Sequence, residues 1–339
     1  MQKKMVAAIC VAAILVAVVV LGVFVYKGGE ASTEMTIMQS NGEPITLAKE
    51  ANRIVVTGTY VAEVLYVIGA ADKMVGVANS TLINAELKPL LKDKTDIGSW
   101  TTPSVDTILS LNADLIIVYT DASTTNLVQL ESTGIPVVQI DCSDYSKLPD
   151  EIRSLGKITG CSEKANQLAD LLDKVENRIS SANSALDVTA YFESFSENQA
   201  VGLNGSPSQV LEAAGATNIV REEANSVTVQ SSFVIAQSPD YFFKRITLAQ
   251  WGNAASTVQQ IYERPGYDEI DAIEDGNVYA IMSSAIGGPR SFVGLIIIGE
   301  ILNPGCSGDL TVESTMAEYN ALAGTSFLGT GLQVCYPVT

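Results

Sequence analysis

Histidine is absent from all 339 residues. This removes any Ser-His-Asp or Cys-His nucleophile, any zinc site that uses imidazole, and histidine as a haem ligand, leaving only Tyr or Met for that role. The chain also lacks a Cys-x-x-Cys pair, a Gly-x-Ser-x-Gly elbow, a P-loop and a clear Gly-x-Gly-x-x-Gly. No catalytic group and no cofactor is expected. Basic residues are scarce, with 20 Lys and Arg against 38 Asp and Glu and a formal charge of −18. Such a chain repels phosphate backbones, so no nucleic-acid partner is expected.

What is there begins with an uninterrupted apolar run over residues 5–26. A helix of that length reaches across roughly 30 Å of hydrocarbon. Lys3 and Lys4 precede it and hold the N-terminus in the cytoplasm. The run exceeds the apolar stretch of about 7–15 residues in a cleaved signal. No convincing small-x-small cleavage site follows Tyr26, nor does a Cys, as a lipoprotein anchor would need. An uncleaved anchor over residues 1–27 is expected, with a cleaved signal as the alternative. In either case the chain beyond Lys27 lies outside the cell, after a flexible tether over 28–34. Of five cysteines, Cys10 sits in the apolar run. Cys142 and Cys161 flank a helical stretch that holds them roughly 20 Å apart, too far for a bridge. Cys306 and Cys335 are the better candidate pair.

Beyond the tether the sequence repeats itself. A helix-then-strand cassette runs from Val64-Leu65 to Gly69-Ala70 and again from Val210-Leu211 to Gly215-Ala216. A second cassette follows each. Val105 to Asp114 leads into Leu115-Ile116-Ile117-Val118, and Phe233 to Asp240 leads into Tyr241-Phe242-Phe243. Further short apolar runs at 54–57, 74–77, 136–140, 188–192 and 278–281 read as strands between helices, the pattern of a mainly parallel sheet. The fold class is therefore α/β, with two Rossmann-like lobes over 35–161 and 187–304 and a tail over 305–339. Residues 162–186 carry no Gly or Pro and place apolar residues at three- and four-residue spacing. They predict one long helix joining the lobes. The apolar run Ser291–Leu302 is too short to span a bilayer and predicts a buried helix. Two lobes imply a cleft, where ligands bind.

Several of these pieces resemble one family in order and spacing. Arg53-Ile54-Val55-Val56 is followed by Ala62-Glu63-Val64-Leu65-Tyr66-Val67-Ile68-Gly69-Ala70 and Met74-Val75-Gly76-Val77. Gly98-Ser99-Trp100, Pro103-Ser104-Val105-Asp106 and Leu111-Asn112-Ala113-Asp114 come next, then Gly156-Lys157-Ile158-Thr159-Gly160. Arg264-Pro265-Gly266-Tyr267, Asp275-Gly276-Asn277-Val278-Tyr279 and Gly288-Pro289-Arg290 close the series. Together they resemble the substrate-binding proteins of ABC importers for iron-siderophores, cobalamin and haem. The resemblance implies two α/β lobes joined by a rigid helix, a metal-chelate or corrinoid ligand between them, a monomer, and delivery to an ABC permease. It places a docking acid of the first lobe at Asp106. The matching second-lobe position falls near Ser232, which is not acidic, and Glu222 and Glu223 are the nearby substitutes.

Five residues are candidates for ligand contact. Trp100 lies in a loop at a lobe edge and can stack on a flat macrocycle or catecholate. Tyr60 follows the first strand, where ligands meet open α/β sheets. Arg290 follows Gly287-Gly288-Pro289 and can pair with a ligand carboxylate, or else with one of the many internal acids. Tyr119 and Trp251 are further aromatic candidates, with ordinary packing as the alternative. Two rivals remain beside the solute receptor: a surface adhesion or structural module on the same scaffold, and an exported metallophore-processing enzyme.

Overall fold

The computed structural model describes residues 34–120, 124–327 and 333–337. The expected anchor over 1–27, and Cys10 with it, lies outside these residues. Among the described residues no helix is long and apolar enough to cross a membrane.

The first lobe opens with a hairpin, β1 (Met35–Met38) and β2 (Pro44–Leu47), paired antiparallel. A five-stranded sheet follows, made of β3 (Ile54–Val56), β4 (Met74–Val77), β5 (Thr95–Asp96), β6 (Leu115–Val118) and β7 (Val137–Gln139). Every pairing in it is parallel, in the order β5-β4-β3-β6-β7. The strands of Val and Ile are buried on both faces, as parallel sheets require. Helices α1 (Thr59–Val67), α2 (Asn79–Ile83), α3 (Val105–Ser110), α4 (Thr124–Glu131) and α5 (Leu148–Thr159) belong to this lobe.

After the connector α6 (Ser162–Asn183) the plan repeats. The second lobe holds strands β8 (Val188–Glu193), β9 (Gln199–Val201), β10 (Ala216–Asn218), β11 (Ser226–Thr228), β12 (Tyr241–Ile246), β13 (Val278–Met282) and β14 (Cys335–Tyr336). Helices α7 (Ser206–Ala213), α8 (Ser231–Gln237), α9 (Ala254–Tyr262), α10 (Asp271–Glu274), α11 (Ser291–Leu302) and α12 (Val312–Ala323) complete it. The parallel run β10-β8-β12-β13 matches β4-β3-β6-β7 strand for strand. The repeated cassette is the cause. In each lobe a helix stops at a glycine with positive φ, Gly69 at 87° and Gly215 at 101°, and the strand that follows pairs parallel with the first strand of its lobe's parallel run, β4 with β3 and β10 with β8. The second sheet is more mixed than expected. β9, β11 and β14 pair antiparallel, which the apolar runs of the sequence did not reveal.

The connector is one helix of 22 residues, ending at Asn183 rather than near 186. There the Asn183 side-chain amide donates to the Ala214 carbonyl at 2.8 Å, and the chain turns into the second lobe. Its apolar stripe, Leu168, Leu172, Val175 and Ile179, is fully buried in a core that runs through both lobes. α11 is buried almost throughout, as expected of its predominantly apolar run, with Glu300 near its end as the one charged residue. Cys306 and Cys335 do not form the expected pair, and both are free thiols. Cys306 Sγ instead lies 3.7 Å from the Glu300 carboxylate, and Cys335 sits in β14.

A buried charge pair joins the lobes. Glu63 on α1 is 2% exposed. Its Oε1 lies 2.7 Å from Arg290 Nε, and its Oε2 accepts from Arg290 Nη2 at 3.1 Å. The Tyr319 hydroxyl of α12 donates to Oε1 at 2.7 Å, and Arg290 Nη1 donates to Glu86 at 2.7 Å. Burial alone would depress the Arg290 guanidinium, but Glu63 and Glu86 hold it above its usual range. Arg290→Met leaves Glu63 charged and uncompensated, so it should cost about 3–5 kcal/mol of stability. Urea unfolding checks this, and a loss below about 1 kcal/mol, the worth of an exposed pair, would contradict it.

Candidate functional site

In both lobes the loops after the parallel strands converge. Thr59 and Tyr60 follow β3, Ser80 follows β4, Tyr119 follows β6, and Asp141 to Ser143 follow β7. From the second lobe come Ser194 and Phe195 after β8, Arg245 near the end of β12, and Gly287 after β13. This is where open α/β sheets hold ligands. Two cavities meet here and share Ser143. One of about 270 Å³ is lined by Thr59, Ser80, Trp100, Tyr119 and Asp141 of the first lobe. The other, about 360 Å³, takes Tyr60 from the first lobe and Phe195, Asn204, Ser206 and Arg245 from the second. A larger hollow of about 620 Å³ lies elsewhere, against α11 and α12, but its lining comes from the second half of the chain alone. Of these hollows, the cleft is the one that gathers residues of both lobes.

Arg245 is the cation of the cleft. Its Cζ lies 4.6 Å from the centroid of the Phe195 ring, and Phe195 is 41% exposed. Its Nε is buried without a hydrogen-bond partner among the described residues. Burial pulls the guanidinium below its usual range, and the facing Tyr60 hydroxyl partly offsets this. No carboxylate lies within ion-pairing distance of it among the described residues. By contrast, the neighbouring Lys244 and Arg264 are both committed to buried Glu193, at 2.9 and 2.8 Å. The Glu193 carboxylate also accepts from Asn198 N at 2.9 Å, which pins the loop that carries Phe195.

The smaller cavity is aromatic and acidic. Trp100 and Tyr119 meet edge to face, with centroids 5.4 Å apart. Burial pushes the Tyr119 phenol up, helped by Tyr60 and Asp141. The Asp141 carboxylate accepts from Thr120 N at 2.7 Å and from the Thr120 hydroxyl. Among the described residues no cluster of His, Cys, Asp and Glu could hold a metal ion.

Of the expected contact residues, Tyr60, Trp100 and Tyr119 therefore come together in the cleft. Trp251 does not. It sits in a short turn, Leu248–Asn253, and packs against the core of the second lobe without lining either cavity. Arg290 is corrected as well, because at 4% exposure its guanidinium is turned to Glu63 and Glu86 and away from the cleft. Arg245 and Phe195 were missed. The available signal was alternation: Tyr241, Phe243 and Arg245 share a face of β12, which runs on to Ile246 rather than stopping at Phe243. Asp106 is exposed in the first turn of α3, whose N-cap Ser104 accepts from Thr107 N. Glu222 and Glu223 are exposed on a loop that docks on the cavity-lining segment through Leu203 N to Glu222 O, 2.9 Å.

Residues 54–285, more than half of the chain, match the periplasmic binding proteins. The chain belongs to that family. Its members bind solutes and are not enzymes. The ABC transporter substrate-binding lipoprotein YvrC of Bacillus subtilis is 24% identical over 283 residues, covering 80% of this chain and 86% of the relative. A cobalamin-binding protein of Halobacterium salinarum is 22% identical over 268 residues, covering 76% of this chain and 70% of the relative. Among solved structures, the molybdate-bound protein MolA of Haemophilus influenzae superposes with a TM-score of 0.71 at 18% identity, over 86% of this chain and 99% of that one.

The two lobes touch across the cleft through Tyr60. A Cβ at Gly288 would lie 2.3 Å from Tyr60 Cδ1, and one at Gly287 would lie 2.7 Å from its hydroxyl. Gly288→Ala should therefore cost about 1–3 kcal/mol more than Gly305→Ala. Both positions have positive φ, but a Cβ at Gly305 meets nothing within 4 Å. Equal losses for the two variants in urea unfolding would show that Tyr60 gives way freely.

Proposed function

We propose that this protein is the extracytoplasmic solute receptor of an ABC importer, and that it captures an anionic iron-siderophore or a cobalamin-like ligand between its lobes. One observation carries the reading. Arg245 lines the cleft with its Nε buried and without a hydrogen-bond partner and with no carboxylate partner among the described residues, in a chain of formal charge −18. A buried charge without a counter-ion is costly, and a ligand carboxylate or catecholate oxygen would supply one. The aromatic surfaces of Phe195, Trp100 and Tyr119 suit the flat faces of such a chelate. Among the described residues no cluster of Cys, Asp and Glu could hold a metal ion, which suits a ligand that carries its own metal. The relatives support the class, since one is an importer's substrate-binding lipoprotein and another binds cobalamin. Delivery would follow by docking of the acidic lobe tips, Asp106 on one side and Glu222 and Glu223 on the other, to a permease. Capture and release need only a monomer.

Arg245→Ala should weaken binding of an anionic ferric chelate about 10- to 100-fold, the loss of a charged hydrogen bond. Calorimetric titration of the folded variant measures it. An affinity unchanged for the chelate would refute the role of Arg245, and tight binding of uncharged cyanocobalamin by both proteins would favour the corrinoid arm.

Asp106→Ala removes an exposed rim charge. It should leave ligand affinity intact and slow uptake through the cognate permease, mainly by slowing association. Normal uptake by the variant, or lost ligand binding, would remove Asp106 from the docking surface.

A further inference from the structure

Glu151 is a buried acid that lines neither cavity of the cleft. It lies in α5 at 3% exposure. Both of its oxygens are taken. The Ser40 hydroxyl donates to Oε1, and the Cys142 backbone N–H donates to Oε2 at 2.7 Å. Ser40 Oγ in turn accepts from Asp141 N at 2.9 Å. Ser40 sits in the turn between β1 and β2, 111 residues from Glu151 in sequence. That turn is fixed to the edge of the first sheet. Ser40 N donates to the Gln139 carbonyl of β7, and Gln139 N donates to the Gln39 side chain, both at 2.9 Å.

These bonds hold the loop that follows β7. Asp141 and Ser143 line the cleft, and Ser143 is shared by both cavities. Cys142 between them has a φ of 51°, in the left-handed region that residues with a side chain seldom adopt. Such a conformation persists only where its surroundings fix it. Here Glu151 captures the N–H of Cys142 and Ser40 captures the N–H of Asp141. Further along the loop, Tyr145 N donates at 2.7 Å to Gln209 Oε1 on α7 of the second lobe. The Asp141 carboxylate accepts from Thr120 N, so the loop that carries Tyr119 is tied to the same point.

We propose that Glu151 is a positioning residue of the ligand cleft: with Ser40 it clamps residues 141–143 in their left-handed turn and so sets where Asp141 and Ser143 stand. The N-terminal hairpin, next after the tether, thereby acts on ligand binding from outside the cleft. The ligand used below rests on the solute-receptor reading above, while the clamp stands on its own contacts.

The test compares the full-length protein with three variants. Glu151→Leu keeps the bulk and removes both acceptors. Ser40→Ala removes one link. Glu151→Gln keeps an acceptor for Cys142 N and offers Ser40 Oγ a donor, which a hydroxyl can accept. The Cys142 thiol is fully buried, so its alkylation by iodoacetamide, read by peptide mass spectrometry, reports release of the loop. Buried Cys306 and Cys335 are internal controls for general loosening. Cys142 should react about tenfold faster in Glu151→Leu and several-fold faster in Ser40→Ala, as expected for the loss of one or two hydrogen bonds. In Glu151→Gln it should keep the parent rate, and Cys306 and Cys335 should keep theirs throughout. Equal Cys142 rates in all four proteins, acceleration of all three thiols together, or a Gln variant as reactive as the Leu variant overturns the clamp. Calorimetric titration with ferric citrate reads the consequence for binding. Affinity should fall about three- to tenfold in Glu151→Leu and Ser40→Ala and hold in Glu151→Gln. A released Cys142 with unchanged affinity overturns the positioning role. A parent protein that binds no ferric citrate overturns the anionic-chelate reading instead, and the alkylation rates still decide the clamp.

Discussion

The arrangement of the two lobes rests on one buried carboxylate. Glu63 is only 2% exposed, and Arg290 of the other lobe pairs with it, with the Tyr319 hydroxyl beside them. A carboxylate stripped of its partners in such a place costs several kcal/mol, so the lobes are held in the one relation that keeps all three groups together. Tyr60 stands one helical turn before Glu63 on α1. Residues three apart share a helix face, and both side chains meet the segment Gly287 to Arg290 of the second lobe. The cleft geometry is thus a consequence of the buried pair and was not assembled separately.

The rest of the frame works in the same direction. The connector α6 packs along α5 and α11, and its buried stripe makes the cores of the two lobes continuous. A helix held on several sides bends little. Two lobes joined in this way present a preformed cleft, with ordering costs already met before a ligand arrives. Solute capture with small conformational change suits this construction better than closure about a loose hinge.

The charges of the second lobe divide by task. Glu193, Lys244 and Arg264 form a satisfied cluster at the base of the loop that carries Phe195. Lys244 and Arg245 are adjacent on β12, so their side chains leave on opposite faces of the sheet. One cation is spent on structure and the next is left for the cleft. A chain with almost twice as many acids as bases could have neutralised Arg245 internally. That it does not is the strongest sign of where an anion is expected.

Much of the architecture was legible in the residues themselves. The repeated helix–glycine–strand cassette anticipated two sheets with the same parallel order, because a helix stop and a left-handed glycine are local events. The gap-free stretch after Gly160 anticipated the connector for the same reason, since apolar periodicity belongs to neighbouring residues. The short, mostly apolar run Ser291–Leu302 read as a buried helix, and it is one. The antiparallel strands of the second sheet were not legible, because an edge strand of three residues carries no period of its own. Nor was the fate of the arginines. Arg290 looked poised for a ligand after its Gly-Gly-Pro turn, yet its partners lie 204 and 227 residues away. Arg245 looked like the tail of a strand. Which cation is neutralised and which is left open depends on distances between side chains far apart in the chain, and only the packed tertiary structure sets those distances.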